Sequence, residues 1–96
     1  MKRMSEGLQR RDDGVIVYGA DWCGDCVRSK ALLERTAVNY TWIDTDATPG
    51  AVDLIMAANE GRRSIPVIVL PDGSHLTEPS DPELRAALTA NGLLAE

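Results

Sequence analysis

Two cysteines, Cys23 and Cys26, stand at the junction between two different hydrophobic patterns. The chain before them, residues 15–18, is a short apolar run that is typical of a buried strand. The chain after them has apolar residues at helical spacing. The first sulfur is therefore expected at a helix N-terminus, where unpaired N–H groups and the helix dipole stabilise a thiolate. This context favours a reactive dithiol over a packing role.

The remaining pattern predicts a single α/β domain with the element order β-α-β-α-β-β-α. A right-handed crossover makes the first two strands parallel, and the turn sequence at 71–73 joins the last two as a hairpin. The expected result is a mixed four-stranded sheet with three helices on its faces. The predicted strands are residues 15–18, 40–44, 65–70 and 74–77. The predicted helices run from Cys23 to about residue 36, from Thr48 and Pro49 to Gly61, and from a cap at Ser80 or Asp81 to Gly92.

The composition fits one small globular domain. The chain has 96 residues, of which 44% are hydrophobic, and this fraction argues against overall disorder. We expect a domain over residues 14–96 after a charged, flexible lead-in of residues 1–13. The net charge of −5 argues against nucleic acid and membrane surfaces as partners, since both need a positive field. No stretch resembles a membrane span of ~20 apolar residues or a signal peptide, so we expect a cytoplasmic location.

Four interpretations of the cysteine pair are open from the residues alone. A structural disulfide would close a very small loop and remove little chain entropy. A zinc site within one chain normally needs four ligands, but the chain offers no other cysteine and a single histidine, His75. A zinc or iron–sulfur site shared between two chains is the third interpretation. A redox-active dithiol is the fourth, and it best fits a Cys-x-x-Cys between a strand and a helix in a reducing compartment.

Three segments of the chain give it a family resemblance. The sequence WCGDC at residues 22–26 and the sequence SIP at residues 64–66 are similar to the thioredoxin superfamily. The length and the strand order resemble the glutaredoxins of that superfamily, and the sequence DGSHLTEPS at residues 72–80 resembles the mycoredoxins of actinobacteria among them. The likeness covers roughly residue 15 to the C-terminus. It implies a thioredoxin-like (glutaredoxin) fold and a thiol–disulfide oxidoreductase.

The resemblance also implies roles for individual residues. Cys23 would be the attacking thiolate and Cys26 the second thiol. Pro66 would follow a cis peptide bond that faces the dithiol and leaves the backbone of Ile65 free to pair with a thiol substrate. The implied reaction is the reduction of mixed disulfides between proteins and a low-molecular-weight thiol, by a monomer that needs no metal or organic cofactor. The implied substrate-binding residues are Trp22, Arg63, Ile65, Pro66, Ser80 and Asp81.

Departures from the glutathione-using glutaredoxins point to a different small thiol. Ala20 stands where those proteins usually carry Lys or Arg, and residues 77–78 replace their Gly pair. Asp21 and Asp25 add negative charge beside Cys23, which disfavours anionic glutathione and favours mycothiol, a sugar thiol without a carboxylate. Asp25 is also expected to tune the acidity of the dithiol, because its charge opposes the effect of the helix terminus.

Two other functions stay open at this point. One is a thioredoxin-like electron donor that a flavoprotein reductase recharges. The other is a non-catalytic iron–sulfur carrier, in which Cys23 from each of two subunits holds a shared cluster. The colour and absorbance of freshly purified protein would separate the carrier from the enzymes.

Overall fold

The computed structural model describes residues 7–95, and this part of the chain has the predicted architecture. Its elements are β1 (Val15–Gly19), α1 (Gly24–Arg35), β2 (Tyr40–Asp44), α2 (Ala51–Ala58), β3 (Val67–Val69), β4 (His75–Thr77) and α3 (Asp81–Ala90). The four strands form a sheet with the order β2-β1-β3-β4. β1 is parallel to β2 and antiparallel to β3, and β3 pairs with β4 as an antiparallel hairpin. The predicted α/β fold class and element order are confirmed. None of the described helices is long and apolar enough to cross a membrane.

The central strand β1 supplies side chains to the core on both faces of the sheet. All of its residues are buried, as the apolar run predicts. Because side chains alternate along a strand, Val15 and Val17 pack on one face, and Ile16 and Tyr18 pack on the other. The first face is covered by α1 and α3 and the second by α2, through Leu32, Leu33, Leu84, Leu88, Ala51 and Ile55. The packing fixes β1 from both sides, and the loop that follows it carries the cysteines.

Helix α1 begins directly after Cys23 and ends in a left-handed cap. The Cys23 sulfur takes the N-cap place and accepts a hydrogen bond from the N–H of Cys26 at 3.2 Å. At the other end Ala37 has a φ of 57°, and the N–H of Val38 bonds to the carbonyl of Leu33 in a Schellman closure. The predicted placement of the first sulfur at the helix N-terminus is confirmed.

Helix α2 begins later than predicted. The sequence signals favour a start at Thr48 and Pro49, but the helix begins at Ala51, after Gly50 in a left-handed conformation with φ 83°. The reason is a turn after β2, in which the carbonyl of Asp44 accepts the N–H of Thr48. Thr48 is therefore part of this turn and does not cap the helix, which begins three residues later.

The predicted bounds of β3 and the predicted end of α2 also differ from the structure. β3 covers Val67–Val69 rather than residues 65–70, because Pro66 has no N–H to pair with a neighbouring strand. Helix α2 ends at Ala58 rather than at Gly61. The N–H of Gly61 nevertheless bonds back into the last helical turn and closes it. These differences lie at element ends, as do shifts of one or two residues in β1, α1, β4 and α3, and the order of the elements is unaffected.

Helix α3 begins with a capping box, the first of the two starts that its sequence allows. The Ser80 hydroxyl accepts the N–H of Glu83 at 3.2 Å, and the Glu83 carboxylate accepts the N–H of Ser80 at 2.8 Å. The bonds with Ser80 hold the pKa of Glu83 below its ordinary value. Asp81 and Pro82 are therefore the first helical residues. The chain itself supplies a carboxylate to this helix N-terminus.

Residues 7–13 lie against the domain. Leu8 is buried with the residues of the α2 side of the core. The N–H of Gln9 donates to the hydroxyl of Tyr18 at 2.9 Å, and the Arg10 guanidinium donates to the carbonyl of Pro71 at 2.6 Å. Residues 1–6 of the expected lead-in, and residue 96, lie outside the described part of the chain. The division of the chain into a lead-in of residues 1–13 and a domain of residues 14–96 stays a prediction.

Candidate active site

The half-buried Cys23 sulfur lies between the start of α1 and the segment that precedes β3. Its acceptor contact with the N–H of Cys26 is 3.2 Å long. The carbonyl oxygen of Ile65 is 3.9 Å from the same sulfur. The peptide bond between Ile65 and Pro66 is cis, as the resemblance implies. Cys23 is therefore partly exposed and faces the backbone carbonyl of Ile65.

Cys26 differs sharply from Cys23 in its surroundings. Its side chain is fully buried, beneath Gly19 at the end of β1. Burial raises the pKa of the Cys26 thiol to about 12, and a hydrogen bond with Cys23 and the charges of Cys23 and Asp25 act in the same direction. At neutral pH the thiol is protonated, and the thiolate is the nucleophilic form of a cysteine. The two cysteines are thus unequal in access and in nucleophilicity.

We expect the reduced protein to lose stability above pH 9 more steeply than its Cys26→Ser variant. The ordinary pKa of the thiol is 9.0 and its pKa in the folded protein is about 12, so the unfolded chain releases the proton first. The stability that this thiol contributes is complete below pH 9 and is lost progressively as the pH rises towards about 12. Denaturant unfolding of both proteins under reducing conditions measures the difference. Parallel pH dependences in the two proteins would show that Cys26 ionises equally easily in both states.

The segment before β3 is clamped at both ends. The side-chain amide of Asn59, the C-cap residue of α2, donates to the carbonyl of Ser64 at 3.2 Å. The amide oxygen of Asn59 accepts the hydroxyl of Thr77 in β4 at 2.6 Å. At the other end, the N–H of Glu78 donates to the carbonyl of Pro66 at 2.9 Å. Ile65 lies between the two fixed points, so its backbone is held beside Cys23.

A cleft opens on the α2 side of the dithiol. The Trp22 side chain is 73% exposed, yet its indole N–H donates to the Asp46 carboxylate at 2.7 Å. Arg63 and Ile65 line the opposite side of the cleft, which has a volume of about 180 Å³. The structure therefore brings together Trp22, Arg63 and Ile65 of the predicted substrate-binding residues.

Ser80 and Asp81 lie at a different place, the start of α3. Arg28 connects this helix start to α1, since its guanidinium donates to the Asp81 carboxylate at 2.6 Å and to the Pro79 carbonyl at 3.1 Å. The same guanidinium lies 3.4 Å from the Asp25 carboxylate. The hydrogen bond with Asp81 is the largest cause of a pKa of Arg28 above its ordinary value.

The Asp25 carboxylate interacts electrostatically with both Cys26 and Arg28. It adds to the raised pKa of Cys26, and it also forms the ion pair with Arg28 on the helix surface. The guanidinium charge offsets much of the carboxylate charge at this point. Its expected effect on the acidity of Cys23 stays a prediction.

Sequence reasoning did not select Arg28, Asp46 or Asn59 as parts of the site. A signal existed for Asp46, because β1 and β2 are predicted to be parallel and the loops after them meet at the same edge of the sheet. No local pattern indicates the Asn59 contacts, which depend on how α2 packs against β4. Within residues 7–95, no group of three or more His, Cys, Asp or Glu side chains is arranged to hold a metal ion.

Known proteins are similar to this chain over most of its length. The glutaredoxin family model matches residues 15–76. A Mycobacterium tuberculosis protein, provisionally named a glutaredoxin, is 35% identical over 74 residues, which cover 77% of this chain and 88% of the relative. Mycoredoxin 1 of Corynebacterium glutamicum is 32% identical over 77 residues, which cover 79% of this chain and 94% of that protein. Buckwheat glutaredoxin, solved as a glutathione complex, aligns with a TM-score of 0.60 at 27% identity and covers 84% of this chain and 81% of its own.

Proposed function

Because this chain belongs to the glutaredoxin family and is a thiol–disulfide oxidoreductase, we propose that it reduces mixed disulfides between proteins and mycothiol. The observation that carries the proposal is the inequality of the two cysteines. Cys23 is accessible at a helix N-terminus, whereas Cys26 is buried with a pKa raised to about 12. This arrangement suits a reaction in which one sulfur does the exchange and an external thiol completes it.

In the proposed first step, the Cys23 thiolate attacks the sulfur of the small thiol in the mixed disulfide. A disulfide forms between Cys23 and the small thiol, and the protein substrate leaves as a thiolate that takes a proton from water. In the second step, another molecule of the small thiol attacks the adduct as its thiolate. The products are the disulfide of the small thiol and the Cys23 thiolate, so no metal or organic cofactor takes part.

Cys26 offers a slower route through the same adduct. Its attack on Cys23 would release the small thiol and leave an intramolecular disulfide, but the thiol must first lose its proton. A pKa of about 12 keeps nearly all of it protonated at neutral pH. The external thiol therefore completes most turnovers in this proposal.

The charges around Cys23 favour a thiol without a carboxylate. Asp21, Asp25 and Asp46 are exposed carboxylates near the dithiol, and Asp46 lines the cleft on its α2 side. A helix N-terminus can hold a substrate anion, but the Ser80 N–H at the start of α3 already bonds the Glu83 carboxylate. Mycothiol is a neutral sugar thiol, and mycoredoxin 1 is among the relatives of this chain. We propose that Ser80 and Asp81 form one side of the substrate surface and that Trp22, Arg63 and Ile65 form the other. Pro66, whose side chain is fully buried, would act by holding the backbone of Ile65 in place.

Glutathione is the second candidate thiol. Arg63 is an exposed cation near the dithiol, and the buckwheat relative was solved with glutathione. The partners in either case are the small thiol and protein mixed disulfides. A monomeric state and a cytoplasmic location are part of the proposal.

One comparison tests the proposal. Turnover of a mycothiol–peptide mixed disulfide is measured beside that of the matching glutathione–peptide disulfide, and beside direct reduction by a thioredoxin reductase. We expect kcat/KM to be at least about tenfold higher for the mycothiol substrate, which corresponds to ~1.4 kcal/mol. A preference for glutathione, or efficient reduction by the flavoprotein alone, would overturn the proposed thiol. Visible absorbance in freshly purified, dimeric protein would favour the iron–sulfur carrier.

Asn59→Ala should reduce activity more than Thr77→Val. The first variant frees the Ser64 carbonyl and the Thr77 hydroxyl, whereas the second removes only the contact with β4. Because loss of orientation at a reacting centre is costly, we expect kcat/KM to fall about tenfold in Asn59→Ala and about twofold or less in Thr77→Val. Steady-state kinetics at a temperature where both variants are folded gives the comparison. Equal losses would mean that the Ser64 contact does not position Ile65.

A further inference from the structure

We propose that residues 7–10 form a strap that positions helix α2, and that Leu8 is the central positioning residue of this strap. The proposal rests on the proposed reduction of mixed disulfides, whichever small thiol takes part. The glutaredoxin family model begins at residue 15, so the strap lies outside the matched part of the chain. A segment outside the matched residues thereby sets one wall of the active site.

The strap is held to the folded domain at three points. Leu8 is only 8% exposed and belongs to the core on the α2 side of the sheet. The N–H of Gln9 donates to the hydroxyl of the buried Tyr18 at 2.9 Å, and Arg10 donates to the carbonyl of Pro71 in the turn between β3 and β4 at 2.6 Å. Because buried polar groups need a partner, the strap satisfies the Tyr18 hydroxyl as well as covering apolar surface.

The strap closely approaches helix α2 at Gly7. An ideal Cβ at this position would lie 3.0 Å from Cδ2 of Leu54 in α2, and the φ of Gly7 is 84°, so glycine suits the contact. The helix depends on such packing, because it has only eight residues and its N-cap residue, Gly50, makes no side-chain cap bond. Short helices take most of their stability from tertiary contacts. The strap therefore contributes to where α2 lies.

Helix α2 connects the strap to the active-site wall. The core cluster that contains Leu8 also contains Ile55 of α2, and the side chain of Ile65 packs against the same cluster. Asn59 at the end of α2 holds the segment before β3, and the Ile65 carbonyl is 3.9 Å from the Cys23 sulfur. Cys23 itself caps α1, which packs on the opposite face of the sheet. A cavity at Leu8 is therefore expected to displace the wall and to leave the nucleophile in place.

Truncation of Leu8 should separate turnover from the reactivity of Cys23. We expect Leu8→Ala to lower kcat/KM for a peptide mixed disulfide about fivefold at a temperature where the variant is folded. The rate of Cys23 alkylation by iodoacetamide should stay within about twofold of the wild type, because the cap of α1 is unchanged. Leu8→Met keeps the side-chain volume and should restore turnover. Leu8→Val, which removes one methylene, should give the same separation at smaller size if the alanine variant does not fold.

Val38→Ala is the matched control on the other face of the sheet. Val38 is 7% exposed, follows the C-terminal end of α1 and packs in the core cluster of α1 and α3. We expect its kcat/KM to stay within about twofold of the wild type. Hydrogen exchange should become faster in α2 for the Leu8 variant and stay unchanged there for the Val38 variant.

Three results would overturn the strap. They are equal losses of kcat/KM in Leu8→Ala and Val38→Ala, a loss of alkylation rate that parallels the loss of turnover, and faster exchange spread evenly over all three helices. All variants are compared with the wild type on the same mycothiol–peptide and glutathione–peptide disulfides. A preference of the wild type for glutathione would contradict the proposed thiol and leave these ratios between proteins unchanged.

Discussion

Replacement of Cys23 by serine is expected to lower the reduction of mixed disulfides by about 10³-fold or more, because it removes the sulfur that forms the covalent adduct. Replacement of Cys26 by serine should leave the rate within about tenfold of the wild type when the small thiol is abundant, since that thiol can complete the reaction. The difference follows from the structure. Cys23 caps α1 beside the Ile65 carbonyl, and Cys26 is fully buried with a pKa raised to about 12.

Initial rates at saturating small thiol measure this division between the cysteines. A titration of the small thiol gives a further check, because the Cys26→Ser variant must depend on its concentration. Loss of activity to the same extent in both variants would mean that every turnover passes through the intramolecular disulfide. Retained activity in Cys23→Ser would mean that Cys23 is not the attacking nucleophile.

Gly19→Ala is expected to destabilise the protein by about 1–3 kcal/mol, the usual range for overpacking. An ideal Cβ at this position would lie 2.8 Å from the Cys26 sulfur and 2.8 Å from the Trp42 ring. Neither neighbour can move freely, because the sulfur is enclosed in α1 and the indole ring lies beneath the ammonium group of Lys30, 4.4 Å from the ring centroid. The displacement should also slow closure of the intramolecular disulfide.

Gly24→Ala is the matched control for this substitution. It adds the same methyl group at the first residue of α1, where no atom beyond its chain neighbours and its own helix backbone lies within 4 Å of the new Cβ. Because alanine is the better helix residue, we expect the control to be neutral or more stable by up to ~1 kcal/mol. Denaturant unfolding of the reduced proteins measures both changes. Similar stabilities of the two variants would show that the Cys26 side of Gly19 has more room than the structure gives it.

Local patterns were sufficient for the order of the elements. The apolar run at β1 has the character of a strand covered on both faces, and the structure places helices on both sides of it. The capping box at Ser80 could likewise be predicted, because its two bonds join residues close in sequence. The start of α2 could not, since Thr48 has an adequate cap side chain and only the turn from Asp44 excludes it.

The parts of the site that are formed by residues close together in the sequence could be predicted. The contacts between residues far apart in the sequence could not. The placement of Cys23 at a helix start follows from neighbouring residues, whereas the cis bond before Pro66 came from the family resemblance alone. The bridge from Arg28 to Asp81 joins residues in α1 and α3. The bond from Trp22 to Asp46 joins the loops after two parallel strands. Such contacts depend on the packed fold and leave no periodic trace in the sequence.

The most direct test of the account asks which half of a mixed disulfide Cys23 takes. A peptide with one cysteine, joined to mycothiol, is mixed with the reduced Cys26→Ser variant and quenched with acid. Intact-mass measurement and peptide mapping then locate the adduct. The account predicts mycothiol on Cys23 and free reduced peptide in solution. Peptide attached to Cys23 with release of mycothiol, or no adduct at that residue, would contradict it.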